Sequence, residues 1–291
     1  MKELNELNIV LYGTGPLAES LLVTLVEGGV TPKLLVTKPD SKVGRAQTLQ
    51  APNIKHLADM YRIPVVQPKT LKEGSPDELR EGDFDLGIVA SYGMILPDHV
   101  LEIPSLGTIN VHPSLLPLYR GPTPIESALL NNEKNLSISI MFLDDQVDHG
   151  PILLQKSYPD FEDLPDGTSE IFEKLSGVRG GVMLLSEVLL PFTRGVLTAE
   201  EQDHSKATFT KKFTKETGLV SLTDDIEKMH SVFRACTPWP GCYFVHNHKG
   251  KDIRVKVTEM LTESGVTSIK KVLPEGKKEM DFESFKHGYL K

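Results

Sequence analysis

Two cysteines, Cys236 and Cys242, and one tryptophan, Trp239, are all that this 291-residue chain holds of its rarest residue types. Two thiols cannot build a disulfide framework, and their spacing does not match the short pairs that ligate zinc, so both read as structural. No apolar run reaches the ~18 residues needed to cross a bilayer. The opening stretch up to Gly15 has neither a basic leader nor a cleavage-type segment, so the expectation is a cytoplasmic protein with no membrane contact. Internal repeats and low-complexity tracts are also missing, which sets aside repeat architectures and disordered tethers. No G-x-S-x-G elbow surrounds Ser114, so that hydroxyl is not read as a hydrolase nucleophile.

What is there is ordinary globular composition, with 39% apolar and 25% charged residues. The length exceeds a comfortable single core and points to one large domain with a smaller companion. The net charge of −8 is unevenly placed: residues 1–204 carry 16 basic against 29 acidic side chains (net −13), and residues 205–291 carry 16 against 11 (net +5). A basic tail is either a solvated surface or an attraction to a polyanion.

The run 8–13 ends in glycine, after which Leu17, Leu21, Leu22 and Leu25 recur at helical spacing until Gly28-Gly29. Further short apolar runs at 33–37, 64–67, 85–91 and 107–112 alternate with helical patterns, among them one near 53–61. The runs at 85–91 and 107–112 are continuous, as in strands covered on both faces. This predicts an α/β fold with a doubly wound, mostly parallel, Rossmann-like sheet. Residues 136–143 read as a strand with one more polar face, and 151–156 as its hairpin partner. A long helical stripe follows between Asp166 and Phe192, weakened at Gly180-Gly181. Short strand-like runs after a Lys-rich connection predict a small C-terminal all-β, OB-like barrel. The expected division is a first domain over 1–192, a linker over 193–208 and the barrel over 209–291.

Asn110 and His112 stand two apart on a predicted strand, so an amide and an imidazole project from one face just before a Pro-containing loop. Asp148, in the acidic loop 144–150, is either part of a charged turn or the carboxylate that orients His112. His112, Asp148 and His149 do not match a dense metal-ligand motif. Residues Gly13 to Ala18 fit the loose dinucleotide fingerprint with Asp40 downstream, but Pro16 suits helix initiation and Asp40 follows a proline in a turn. A strand-to-helix turn lining some other anionic ligand is the preferred reading. Arg120 is either a surface cation or an anion contact, and Trp239 is read as a core or corner residue in preference to a stacking platform.

Asn110-Val111-His112-Pro113-Ser114-Leu115-Leu116-Pro117, followed by Arg120-Gly121 and later Asp148-His149-Gly150, resembles the folate-dependent formyltransferase family. Tyr92-Gly93-Met94-Ile95-Leu96-Pro97 resembles that family's preceding loop. The segments Thr37 to Asp40 with Gly44-Arg45, Ala207 to Lys212, Pro238 to Gly241 and Leu273 to Lys278 are similar to the branch whose acceptor is carried on tRNA, so the resemblance covers nearly the whole chain. It implies a formyl donor, 10-formyltetrahydrofolate, held by Tyr92, Gly93, Met94, Ile95, Leu96, Pro97, Ser114, Leu115, Leu116, Pro117 and Asp144. It implies catalysis by Asn110, His112 and Asp148 without a metal, on methionyl-tRNA as acceptor, in a monomer. Contacts to tRNA would come from Arg45, Lys206, Lys211 and Lys212, although Ala46-Gln47-Thr48 stand where the family places more basic residues. An amino sugar or other small amine is the alternative acceptor, and a non-catalytic RNA-binding protein the alternative class.

Overall fold

In the computed structural model, which describes residues 3–43 and 47–290, the chain divides into two compact units. The first comprises Met1–Pro122, Ser137–Ser157 and Glu173–Phe209, and the second Thr123–Leu136, Tyr158–Phe172 and Thr210–Lys291. The second unit therefore includes two segments that come from within the first two thirds of the sequence.

The first unit is built on strands β1 (Ile9–Gly13), β2 (Leu34–Val36), β5 (Val65–Val66), β6 (Leu86–Ala90), β7 (Thr108–His112), β8 (Leu136–Phe142) and β9 (Ile152–Tyr158), with β3 (Ser41–Val43) and β4 (Thr48–Gln50) forming a separate antiparallel pair. The seven strands lie in the order β5-β2-β1-β6-β7-β8-β9. Pairings from β5 through β7 are parallel, and β8 runs antiparallel to β7. The chain winds outward from β1 to β2 and β5, then returns to β6 beside β1. That reversal puts the switch of winding direction between β1 and β6, the kind of place at whose carboxyl ends open α/β sheets receive ligands. β1, β6 and β7 are buried along their whole length, which is why their sequences do not alternate.

Pro16 opens the helix Pro16–Glu27, which buries Leu17, Ala18, Leu21, Leu22 and Leu25. Its close seat explains Gly13, where an added Cβ would lie 2.6 Å from the Cβ of Ala18. The stripe expected to weaken at Gly180-Gly181 does not: the helix Ser169–Met183 runs through both glycines and loosens only beyond them, as a π turn over Leu184–Val188 before Leu189–Thr193. The glycines serve packing. A Cβ on Gly180 would meet Val111 at 2.5 Å, and one on Gly181 would meet Thr24 at 2.7 Å. By length and composition alone the stretch Ser169–Thr193 could span a bilayer, with a mean hydropathy of 1.3. Here Met183, Leu184, Val188 and Leu189 are buried in the protein, while Ile171, Val178 and Val182 are exposed.

The second unit carries a four-stranded antiparallel sheet, β10 (Tyr243–His248), β11 (Lys251–Glu263), β12 (Val266–Pro274) and β13 (Met280–Asp281), in that order. Two helices accompany it, Ile226–Cys236 and Phe282–Tyr289, which the reading of short strands did not include. Met229, Val232, Phe233 and Cys236 form the buried stripe of the first, with an otherwise polar outer face that resembles a connection in sequence. Cys236 and Cys242 are both free and fully buried in this core. Trp239, expected in a core or corner, is 59% exposed.

Candidate functional site

β7 ends at His112, and its buried position fixes Asn110 and His112 on one face. The chain then turns through Pro113 to Gly121. After β8, residues 143–150 return to the same place and bring Asp148 to both side chains. Its carboxylate divides. Oδ2 accepts the Gly121 N–H at 2.7 Å, while Oδ1 stands 3.5 Å from Nδ2 of Asn110 and 3.6 Å from Nδ1 of His112. Nε2 of His112 donates to the Tyr119 carbonyl at 3.2 Å, because a carbonyl can only accept. Both ring nitrogens therefore face acceptors. The His112 and Asp148 side chains are 5% and 12% exposed, so the pair sits in a medium far less polarisable than water.

Arg120 is not the surface cation that the sequence offered as one reading. It is buried, and its guanidinium donates to Oε1 of Gln202 at 2.7 Å and to Nδ1 of His204 at 2.9 Å. His204 stacks on His149 with ring centroids 4.0 Å apart and planes 6° from parallel. His149 in turn donates from Nδ1 to Asp144 at 2.7 Å. Among the described residues no cluster of three potential metal ligands occurs. Gln202, which the sequence reading missed, has no local motif to reveal it: its partners Asp148 and Gly150 lie more than fifty positions away.

The residues assigned to the donor take different places. Tyr92 is buried, its ring edge-on to Tyr12 at 5.9 Å, and Leu96 is buried in the same apolar cluster. Gly93 and Ile95 are exposed, and Met94 and Pro97 are partly so. In the next loop Ser114 donates to the Leu118 carbonyl at 2.7 Å, and Leu116 is buried with its N–H on Ser139 at 3.1 Å. Leu115 is exposed and Pro117 half-buried. Asp144 lies on a shallow cavity of about 520 Å³, whose lining includes Leu101, Phe142 and Leu143. Asp40 accepts from Gln67 at 2.8 Å beside Lys55, and that hydrogen bond holds its carboxyl below the ordinary range. Both contacts fall on Oδ1 of this exposed carboxylate.

Of the residues assigned to tRNA, Lys206, Lys211 and Lys212 are exposed, and Lys206 pairs with Asp203 at 2.9 Å. Arg45 lies outside the described residues.

The family described as "Formyl transferase" matches residues 7–175, and "Formyl transferase, C-terminal domain" matches residues 212–267. The methionyl-tRNA formyltransferase of Chloroflexus aggregans is 42% identical over 244 aligned residues, covering 81% of this chain and 76% of that protein. That of Thermodesulfovibrio yellowstonii is 34% identical over 298 aligned positions, covering 96% and 95%. Among solved structures, the methionyl-tRNA formyltransferase from Clostridium thermocellum has a TM-score of 0.58 at 15% identity, covering 92% of this chain and 98% of that one. An N-formyltransferase from Helicobacter canadensis, solved with folinic acid and dTDP-3-aminofucose, also has a TM-score of 0.58 at 15% identity, with 90% and 95% covered. At that identity these two likenesses speak to the fold. With one family match over more than half of the sequence and relatives above 30% identity along most of it, the chain belongs to the formyl transferase family.

Proposed function

We propose that this protein transfers a formyl group from 10-formyltetrahydrofolate to the α-amino group of methionyl-tRNA, yielding N-formylmethionyl-tRNA for translation initiation. The observation that carries this reading is the meeting of Asn110, His112 and the Oδ1 of Asp148 at the end of β7. The acceptor is inferred from the names of the relatives and from the basic charge after residue 204.

The reaction forms a C–N bond between the amine and the formyl carbon and breaks the bond from that carbon to the folate nitrogen. One proton moves from the amine to the leaving nitrogen. Attack places negative charge on the formyl oxygen, and the Asn110 amide and the Nδ1–H of His112, neither held closely by Oδ1, are the donors for it, while Nε2 stays on the Tyr119 carbonyl. The long approaches to Oδ1 leave both donors free to turn to the substrate oxygen once it is bound. Asp148 orients His112 and relays the proton. An α-amino group has a reference pKa of roughly 7.7–8.0, so a part is already neutral at pH 7 and no powerful base is required. Tyr92 to Pro97, the Ser114 to Pro117 loop and Asp144 line the donor's place. The cavity beside Asp144, lined by the apolar Leu101, Phe142 and Leu143 and by the carboxylates of Asp98 and Glu102, is the place assigned to the donor's heterocycle, whose N–H groups would meet those acceptors.

Residues 1–192 are the catalytic part in this account, 193–208 the linker and 209–291 the tRNA-binding part of a cytoplasmic monomer. Lys206, Lys211, Lys212 and Arg45 contact the tRNA. To test the acceptor, the purified protein is given 10-formyltetrahydrofolate with equal concentrations of methionyl-tRNA and a nucleotide-linked amino sugar. Formylated methionyl-tRNA is the expected product; a formylated sugar with untouched tRNA would replace this reading by the small-amine one.

A further inference from the structure

We propose that Gln202 is a positioning residue for the Asp148 carboxylate, an inference that rests on the reading of Asp148 as part of the formyl-transfer site. Gln202 is buried, and both polar atoms of its amide are engaged. Its Oε1 accepts from Arg120 at 2.7 Å, and its Nε2 donates to the Asp148 carbonyl at 3.0 Å and the Gly150 carbonyl at 2.7 Å. The amide has one consistent orientation. A guanidinium only donates and carbonyls only accept, so the oxygen must face Arg120 and the nitrogen the loop.

Asp148 needs such support because its backbone is left-handed, with φ 48°, a region that side-chain-bearing residues enter at a cost. Gln202 holds the main chain on both sides of His149, and the Gly121 N–H holds Oδ2 of Asp148 at 2.7 Å. Arg120, which precedes Gly121, is the group that orients Gln202. The two anchors are thus joined through adjacent residues of one turn. With the backbone and one carboxylate oxygen fixed, Oδ1 is left aimed at Asn110 and His112. Gln202 meets none of the reacting groups in this scheme and acts through Asp148 alone.

The test is a cycle of single-turnover rates on methionyl-tRNA for wild type, Gln202→Leu, Asp148→Asn and the double variant, with folding checked by thermal melt. Gln202→Leu removes all three hydrogen bonds at similar volume. A displaced carboxylate should cost roughly 10- to 10²-fold in the transfer rate, with KM for donor and acceptor unchanged. In the Asp148→Asn background the same substitution should cost less than about twofold, because the group it positions is already gone. Equal losses in both backgrounds, or an effect on KM alone, would overturn the proposal. Near-wild-type turnover by Asp148→Asn would overturn the reading beneath it and the proposal with it. Where Gln202→Leu does not fold, Gln202→Glu takes its place: it keeps an oxygen for Arg120 and sets another against the two carbonyls, and the same pattern of losses is expected.

Discussion

Oδ1 of Asp148 stands 3.6 Å from Nδ1 of His112, while the other oxygen of the same carboxylate is held at 2.7 Å by the Gly121 N–H. One oxygen anchors and the other faces the reacting groups. Because Asn110 reaches Oδ1 at 3.5 Å from the same strand face, it remains a donor for negative charge that develops during transfer. Asn110→Ala should lower kcat by ~10²–10³, the usual cost of one oxyanion donor, with little change in thermal stability. A kcat within threefold of wild type would remove Asn110 from the scheme.

Lys211 and Lys212 are exposed, as expected for side chains that meet phosphate. Replacing both by Gln should raise KM for tRNA and leave KM for the folate donor unchanged. The salt dependence of tRNA binding should also flatten, by roughly one unit of log–log slope for each phosphate that is no longer neutralised. An unchanged slope would mean that these lysines are a solvated surface.

His230 offers a test by pH. Its side chain is 8% exposed beside Asp166, and burial, with Arg234 nearby, pushes its pKa below the ordinary value, against the opposing pull of Asp166 and Glu227. A histidine that resists protonation when folded takes up a proton first in the unfolded chain. Its contribution is therefore complete above the unfolded pKa of about 6.5 and is lost as pH falls through that value towards the lower folded one. Urea midpoints measured at pH 7.5, 6.5 and 5.5 should fall with pH in the wild type and fall less in His230→Gln. Parallel declines would place the acid sensitivity elsewhere.

Burial raises the thiols of both Cys236 and Cys242 to about 12. The thiolate is the reactive form, so neither should react with a thiol-directed disulfide reagent at pH 8 in the native protein, and both should react in denaturant. Rapid labelling without denaturant would contradict their buried placement.

The sheet was legible because β1, β6 and β7 are short continuous apolar runs separated by helical periods, and the strand period of two is enough to place Asn110 beside His112. Helix Ile226–Cys236 was less visible, since its buried stripe is interleaved with Glu227, Lys228 and Arg234 and reads as a polar connection. Gly180 and Gly181 read as breakers because their role lies in neighbours, Val111 and Thr24, that the local sequence does not contain. Arg120 and Gln202 were opaque for the same reason. A buried arginine is recognisable only once its acceptors are known, and these are supplied 82 and 84 positions away.

In the proposed reaction Asp148 works with His112 to pass a formyl group to methionyl-tRNA. The most direct test is the single-turnover transfer of labelled formyl from 10-formyltetrahydrofolate to methionyl-tRNA, wild type against Asp148→Asn. Rapid labelling of methionyl-tRNA by the wild type, and a rate at least about 10²-fold lower in the variant with donor and tRNA binding intact, is the predicted result. Equal rates in the two proteins, or no labelled methionyl-tRNA from the wild type, would contradict it.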